Sequence, residues 1–367
     1  MVMHGVVIER TTQVSAQPAR GIIVGAAIGT STAGAKTATN GLPALVNTLA
    51  EAREVFGSAG TLIDAATTWY ALTSNPFVGV LYDHVLTGGP LQMAQTAALN
   101  ALAQVPTTLG VRPRLIASNG TTFANRSDTT QNTNATTLKT IALRLGAKVL
   151  ADSANDTRAN AVAWATVNGG NDLMATPQLI TTPDGSRMGS VYFMAAIADN
   201  ITRRGLVESI SNKPLIHISA ATPVYSHDVG LANDDADALS AAGALIAVRD
   251  EGTWVGWGGR TRYTPAGSVQ RFYNVDMVVN NAERGAQRVA NRNVDRTDNA
   301  TFLSRVVSRI DDYLTGLVST GQLLAFTVGG DPVRNTPVAL NAGRAVINMT
   351  LQPARNVELI TINIQVS

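Results

Sequence analysis

The 367-residue sequence contains no cysteine. That one absence removes disulfides, thiolate metal sites and cysteine nucleophiles, and leaves only metal-free or His/carboxylate chemistry. Charge is scarce as well: Asp, Glu, Lys and Arg make up 15% of the chain, where about 25% is usual for a soluble domain. Lys plus Arg is 28 and Asp plus Glu is 26, a formal balance of +2. So small a surplus gives little long-range attraction to phosphate and argues against a strongly basic nucleic-acid binder. No run of about 18 apolar residues occurs, which excludes a membrane-spanning helix. The opening MVMHGVVIERTTQ has no positive segment before an apolar stretch and does not read as a secretory signal.

What is present points to a folded chain. Hydrophobic residues are 45%, with 32 Gly and 14 Pro, whereas disorder goes with low hydrophobicity and high charge. The length suits roughly two domains of about 150 residues each. Thr, Asn, Ala and Gln stand where surface charge is usual, which suggests a surface largely covered by partners.

Residues 2–10 are β-prone and lead through a polar stretch ending at Pro18, which reads as an arm. An apolar run at 21–29 reads as a buried strand. A strand and a short helix from Leu49 to Gly57 follow, then a helix with Leu62, Ala65, Ala66 and Trp69 on one face, and a strand at 77–85. From about residue 92, helices alternate with strands at 113–118, 147–152 and 177–181, and a long helix closes at Gly205. A helix and strand at 244–250 add one more such unit. This rhythm predicts an α/β fold with a largely parallel sheet and right-handed crossovers. The pattern changes after Glu251 to a Gly-rich and aromatic hairpin. Beyond it, Leu303, Val306, Val307, Ile310, Leu314 and Leu317 mark an amphipathic helix ended by Gly321. Two further strands follow. The last residues alternate strictly, Ile360, Ile362, Ile364 and Val366 against Thr361, Asn363 and Gln365. This is a terminal strand with an unpaired edge, for which a partner is expected.

The chemical motifs mostly favour structural readings. Residues 29–37, GTSTAGAKT, have the flavour of a phosphate loop, but Ala35 separates Gly34 from Lys36, so the spacing fails. His4, His84, His217 and His227 have no zinc spacing. Ser226, His227 and Asp228 are adjacent in sequence without a nucleophile elbow. The acidic run 233–237 lacks the Gly and Glu of a calcium loop and reads as a capped helix start. No catalytic residue, metal or cofactor is assigned. Arg284, Arg288 and Arg292 recur every four residues as a basic stripe, with Val278, Val279, Ala282, Ala286 and Val289 opposite. The stripe is a solvated face or an attachment surface for an acidic partner, with phosphate contact a weaker third reading because aromatics for base stacking are absent.

Several blocks, taken in order, resemble the contractile tail sheath family of myophages, pyocin-like particles and related injection machines. They are HGVVIER (4–10), GIIVGAAIG (21–29), LPALVNTLAEAREVFGSAGTLIDA (42–65), SVYFMAAIADNITRRGLVESISN (190–212), EGTWVGWGGRTRY (251–263), VDRTDNATF (294–302) and PARNVELITINI (353–364). Lys213 and Pro214 depart from the family's Ser-Pro-Asn turn. The resemblance implies an N-terminal arm (1–20), an outer α/β domain (21–252), a smaller inner α+β domain facing the tail tube (253–352) and a C-terminal arm strand (353–367). It implies strands exchanged between subunits through Val6, Val7, Ile8, Leu359, Ile360, Ile362, Ile364 and Val366, with Arg284, Arg288 and Arg292 as a tube-attachment surface. The implied partners are further copies of the chain in a helical homopolymer, the tail tube protein, and baseplate and tail terminator proteins. Neither direct nucleic-acid contact nor membrane insertion is implied, and location is a virion tail or headless particle assembled in a bacterial cytoplasm. A non-contractile self-assembling shell, or a small-molecule enzyme on the α/β domain, are the alternative readings.

Overall fold

The computed structural model describes residues 23–32, 36–83, 85–122, 131–228, 234–263, 268–293, 302–354 and 356. These fall into two compact units, one up to residue 263 and one from residue 268.

The larger unit opens with β1 (Gly25–Gly29), β2 (Pro43–Val46), α1 (Leu49–Phe56), α2 (Thr61–Leu72), β3 (Phe77–Leu81) and α3 (Gly88–Leu102). It continues with the single turn α4 (Val105–Thr108), β4 (Leu115–Ala117), α5 (Thr133–Leu145), β5 (Lys148–Asp152), α6 (Arg158–Asn168) and β6 (Leu173–Thr176). The six strands form one sheet in the order β2-β3-β1-β4-β5-β6, parallel throughout except for β2, which runs antiparallel to β3 at the edge. Alternation along each strand divides the side chains between two helical layers. Ala26, Ile28, Val78, Val80, Ile116, Val149 and Ala151 join one core with Leu99 of α3, Leu138 of α5 and Trp164 of α6. α2 and α7 (Gly189–Arg204) pack on each other over the sheet. Gly29 is needed there, since a Cβ would overlap the backbone of Leu62 in α2.

Local signals set the helix ends. Thr48 caps α1 by accepting from Glu51 N, while Asn47 N donates to Glu51 Oε2 at 2.7 Å, a reciprocal cap. Asn132 caps α5, and Gly146 closes it in the left-handed region at φ 62°.

The remaining elements of this unit are β7 (Leu179–Thr182), β8 (Gly185–Met188), β9 (Ala220–Thr222), α8 (Asp235–Ala241), β10 (Ile246–Asp250) and β11 (Thr253–Trp257). Two expectations are corrected here. The strand read at 177–181 is not a member of the parallel sheet: β7 pairs antiparallel with β8 and β9 in a separate sheet, and the sixth parallel strand is β6, just upstream. Pro177 separates them, because it lacks the N–H a central strand donates. Nor does 244–250 extend the parallel sheet as a full strand. It makes one bridge to β6, at Ala175 and Ala244, and then forms the β10–β11 hairpin. Its turn residues, Glu251 and Gly252, lie at φ 43° and 84°, the arrangement of a tight two-residue hairpin. The whole hairpin stays in the larger unit, whereas a border at 252/253 cuts it; Gly256 N donates to Lys213 O at 3.0 Å within that unit.

The smaller unit contains a 3-10 turn (Val269–Arg271), α9 (Tyr273–Asn291), α10 (Phe302–Ser319), β12 (Ala325–Gly330), the short α11 (Pro337–Asn341) and β13 (Ile347–Gln352). α9 and α10 lie against each other. Tyr313 OH donates to Asn281 O at 3.1 Å, and Gly285 leaves room for the Tyr313 ring, which any Cβ there would overlap. Val306, Ile310, Leu314 and Leu317 form the buried face of α10, as their spacing predicts. β12 and β13 pair antiparallel over their full length.

Candidate functional site

In an open α/β sheet, ligands bind beyond the carboxyl ends of the strands where the strand order reverses. Here that place lies between β1 and β4, since the chain crosses β1 in passing from β3 to β4. Asn119, the second residue after β4, fills it. Its backbone is left-handed at φ 49°, and its Nδ2 donates to Ile28 O at 2.8 Å and Thr61 O at 3.1 Å. The start of α2 is occupied too: Leu62 N donates to Thr30 O at 3.2 Å and Thr30 N to Thr61 Oγ1 at 2.9 Å. Lys36, the cation of the phosphate-loop-like segment, reaches Asn40 Oδ1 at 3.5 Å. Next along the edge, Ser118, Asp152, Thr176 and Ser190 converge in a buried knot. Among the described residues, side chains of the protein itself occupy this part of the edge.

The adjacent Ser226, His227 and Asp228 do not converge as a triad. Ser226 Oγ accepts from Asp235 N at 3.1 Å while Ser226 N donates to Asp235 Oδ2, which fastens the start of α8. Asp234 is the N-cap of α8, accepting from Asp237 N at 2.6 Å, so the acidic run is a capped helix start. His227 lies on the Trp257 ring at a centroid distance of 4.2 Å. His217 pairs with Asp184 at 2.7 Å. His4 and His84 lie outside the described residues. Among the described residues no group of three or more His, Asp or Glu side chains could hold a metal ion, and no helix is long and apolar enough to cross a membrane. Burial raises the Tyr192 phenol, whose hydroxyl donates to Ile216 O at 2.7 Å.

The smaller unit presents open surface. The β12–β13 ribbon has two distinct faces: Phe326 opposite Leu351 and Val328 opposite Met349 on one, Thr327 opposite Thr350 and Ala325 opposite Gln352 on the other. α10 packs on the ribbon, and the second set of residues is exposed. Among the described residues neither outer edge of the ribbon pairs with a third strand. The connection between its strands is built rather than slack. Asp331 accepts from Val333 N (2.9 Å), Arg334 N (2.8 Å), Arg334 Nε (2.8 Å) and Asn348 Nδ2 (3.1 Å). The Arg334 guanidinium, with these amides, holds the Asp331 carboxyl well below the usual carboxylate range. Val333 and Val338 on this connection are 79% and 80% exposed.

The predicted basic stripe is only partly a stripe. Arg284 and Arg288 lie on α9, but Arg292 stands just past the end of the helix. Arg284 is half-buried, whereas Arg288 and Arg292 are exposed. The strand residues Val6, Val7, Ile8, Leu359, Ile360, Ile362, Ile364 and Val366 lie outside the described residues. Sequence reasoning missed Asn119 and the Asp152 knot, for which the only signal was a polar Ser-Asn-Gly directly after an apolar strand.

No family model matches the sequence. Over 335 residues the chain is 23% identical to a protein of Pseudomonas aeruginosa (strain UCBPP-PA14) named as a prophage major tail sheath protein, covering 86% of this chain and 84% of that one. Solved structures match along the whole chain. The helical sheath of the anti-feeding prophage in its contracted state superposes with a TM-score of 0.68 at 19% identity, covering 100% of this chain and 99% of that one. The contracted PVC sheath complex of an extracellular contractile injection system gives 0.70 at 14% identity, covering 100% and 98%. The sheath tail protein of Listeria innocua gives 0.59 at 11% identity, covering 94% and 96%. The chain has the fold of these sheath subunits, mixed helices and sheets around a parallel sheet, and both comparisons agree with the resemblance in its sequence.

Proposed function

We propose that the chain is the structural subunit of a contractile tail sheath, polymerising helically around a tail tube and contracting to drive that tube through a cell envelope. The observation that carries this reading is the match to sheath chains over the full length, both units included. The filled carboxyl edge of the sheet supports a structural rather than an enzymatic role.

On this reading the larger unit is the outer body and the smaller unit the inner, tube-facing part. The N- and C-terminal strands add to the ribbons of neighbouring subunits, and the outer edges of β12 and β13, which have no strand partner among the described residues, are suited to receive them. The wider partners are the tube, the baseplate and the terminator, and assembly takes place in a bacterial cytoplasm for a phage tail or a headless particle. Contraction needs no nucleotide: rigid bodies exchange one set of contacts for a more stable one while the strands keep subunits linked. A surface poor in charge suits such exchange, because few desolvated ion pairs are left behind.

Electron microscopy of the purified chain tests this. Helical tubes with a wide lumen are the expected outcome. Closed or flat shells, or discrete particles at every concentration and salt, overturn it.

A further inference from the structure

The carboxyl edge of the parallel sheet holds a buried acid that the sheath reading does not use. Asp152, the last residue of β5, is 1% exposed. Its Oδ2 accepts from Ser118 Oγ (2.8 Å), Gly120 N (2.7 Å) and Ser190 Oγ (2.6 Å). Its Oδ1 accepts from Ser190 N at 2.9 Å, and Thr176 Oγ1 stands 3.2 Å away. The serine hydroxyls are fixed in their donor role. Ser118 Oγ itself accepts from Asp152 N at 2.8 Å, and Ser190 Oγ from Asn119 N at 3.1 Å, so the hydrogen of each is directed at the carboxylate.

All five donors are neutral. They come from the loop after β4, from β6 and from the first turn of a 16-residue helix, α7, which is the set an α/β protein uses to hold the oxyanion of a bound ligand. α7 also lacks a cap of its own: its N-cap is Met188, with no side-chain acceptor. Asp152 supplies that acceptor from another element and sets a negative charge at the positive end of the helix.

We propose that Asp152 is an internal anionic ligand: the sheet's carboxyl edge carries a finished oxyanion site that the chain fills with its own carboxylate, fastening α7 to the sheet. The inference does not depend on the sheath reading. It implies that removing the carboxylate opens a site for a small carboxylate ion. It also implies that an amide cannot take its place. Gly120 N–H points at one oxygen and Ser190 N–H at the other, and a backbone donor cannot turn to accept. Either orientation of an Asn side chain therefore sets its NH2 against a fixed N–H.

The test compares thermal midpoints of the full chain, wild type and variants, with sodium formate as the probe and sodium chloride at equal ionic strength as the control. Asp152→Asn is expected to lower the midpoint by roughly 5–10 °C. Asp152→Ala is expected to fall at least as far and to recover several degrees in formate but not in chloride, while wild type responds to neither. An Asp152→Asn midpoint equal to wild type, or an Asp152→Ala variant indifferent to formate, overturns the proposal. If Asp152→Ala yields no folded protein, Ser190→Ala decides, by hydrogen exchange at the first turn of α7. Faster exchange there than in wild type supports the internal ligand, and unchanged exchange rejects it.

Discussion

The two units solve the problem of burying a sheet in opposite ways. In the larger unit every residue of β1, β3, β4 and β5 is buried, with a helical layer on each face. In the smaller unit Leu351 alone among the residues of β12 and β13 is buried. A two-stranded ribbon is marginal in water unless something packs on it, and here α10 covers one face only. The larger unit fills the crevice at the carboxyl edge of its sheet with its own side chains; among the described residues the smaller one leaves the ribbon edges, one ribbon face and the turn at Val333 exposed. The contrast teaches that a sheet buried on both faces and a ribbon exposed on one can be encoded in separate stretches of one chain.

The contrast can be broken most severely by removing residues 357–367. Assembly into tubes is expected to be lost outright while the truncated chain keeps its folded core, read by electron microscopy alongside near-ultraviolet dichroism; tubes formed by the truncated chain would contradict the division of roles. Next in size is Trp69→Ala. This fully buried ring packs on Phe77 at 6.0 Å and donates to Asn75 O at 2.6 Å, and its loss should cost about 3–5 kcal/mol in denaturant unfolding of the larger unit. Gly285→Ala is the counterpart in the smaller unit. Overlap with the Tyr313 ring should cost about 1–3 kcal/mol and speed amide exchange in α9 and α10, leaving the larger unit unchanged.

Smaller still is the pair Arg288→Glu with Arg292→Glu. Two exposed charges should weaken co-sedimentation with the tube by roughly tenfold and leave self-polymerisation intact. Unchanged co-sedimentation would make these arginines merely solvated. The smallest effect concerns Asp331. Because its carboxyl lies below the usual range, the order it lends its turn is present above the unfolded value near about 4 and fades only as pH falls through the lower folded value. Amides of Val333 and Arg334 should therefore be as protected at pH 4 as at pH 7, and Asp331→Asn should expose them at both.

Much of this fold can be read in the sequence where one period dominates. The Thr48 cap and Gly57 stop bracket α1, and the apolar spacing of α10 matches its buried face. Legibility failed where a short apolar run had no periodicity to use. Leu173–Thr176 is four buried residues before Pro177, and the residues beyond that proline read equally well as the same strand. What redirects them is a side chain. Gln178 donates to Ala247 O at 3.0 Å and accepts from Ala247 N at 2.7 Å, mimicking a backbone pairing with β10. A glutamine acting as a piece of ladder leaves no pattern in one sequence. The same holds for the arginines at 284, 288 and 292: their spacing is legible, but the end of α9 before Arg292 and the partial burial of Arg284 depend on tertiary packing.

The knot at Asp152 has a consequence in terms of mass action. A cofactor-filled crevice makes a protein's stability follow the concentration of free ligand, so that scarcity loosens the fold and abundance tightens it. An anion tethered to the chain is present at a fixed effective concentration set by geometry alone, whatever surrounds the molecule. A body so closed has the same stiffness in every copy and at every dilution, inside a cell or out of it.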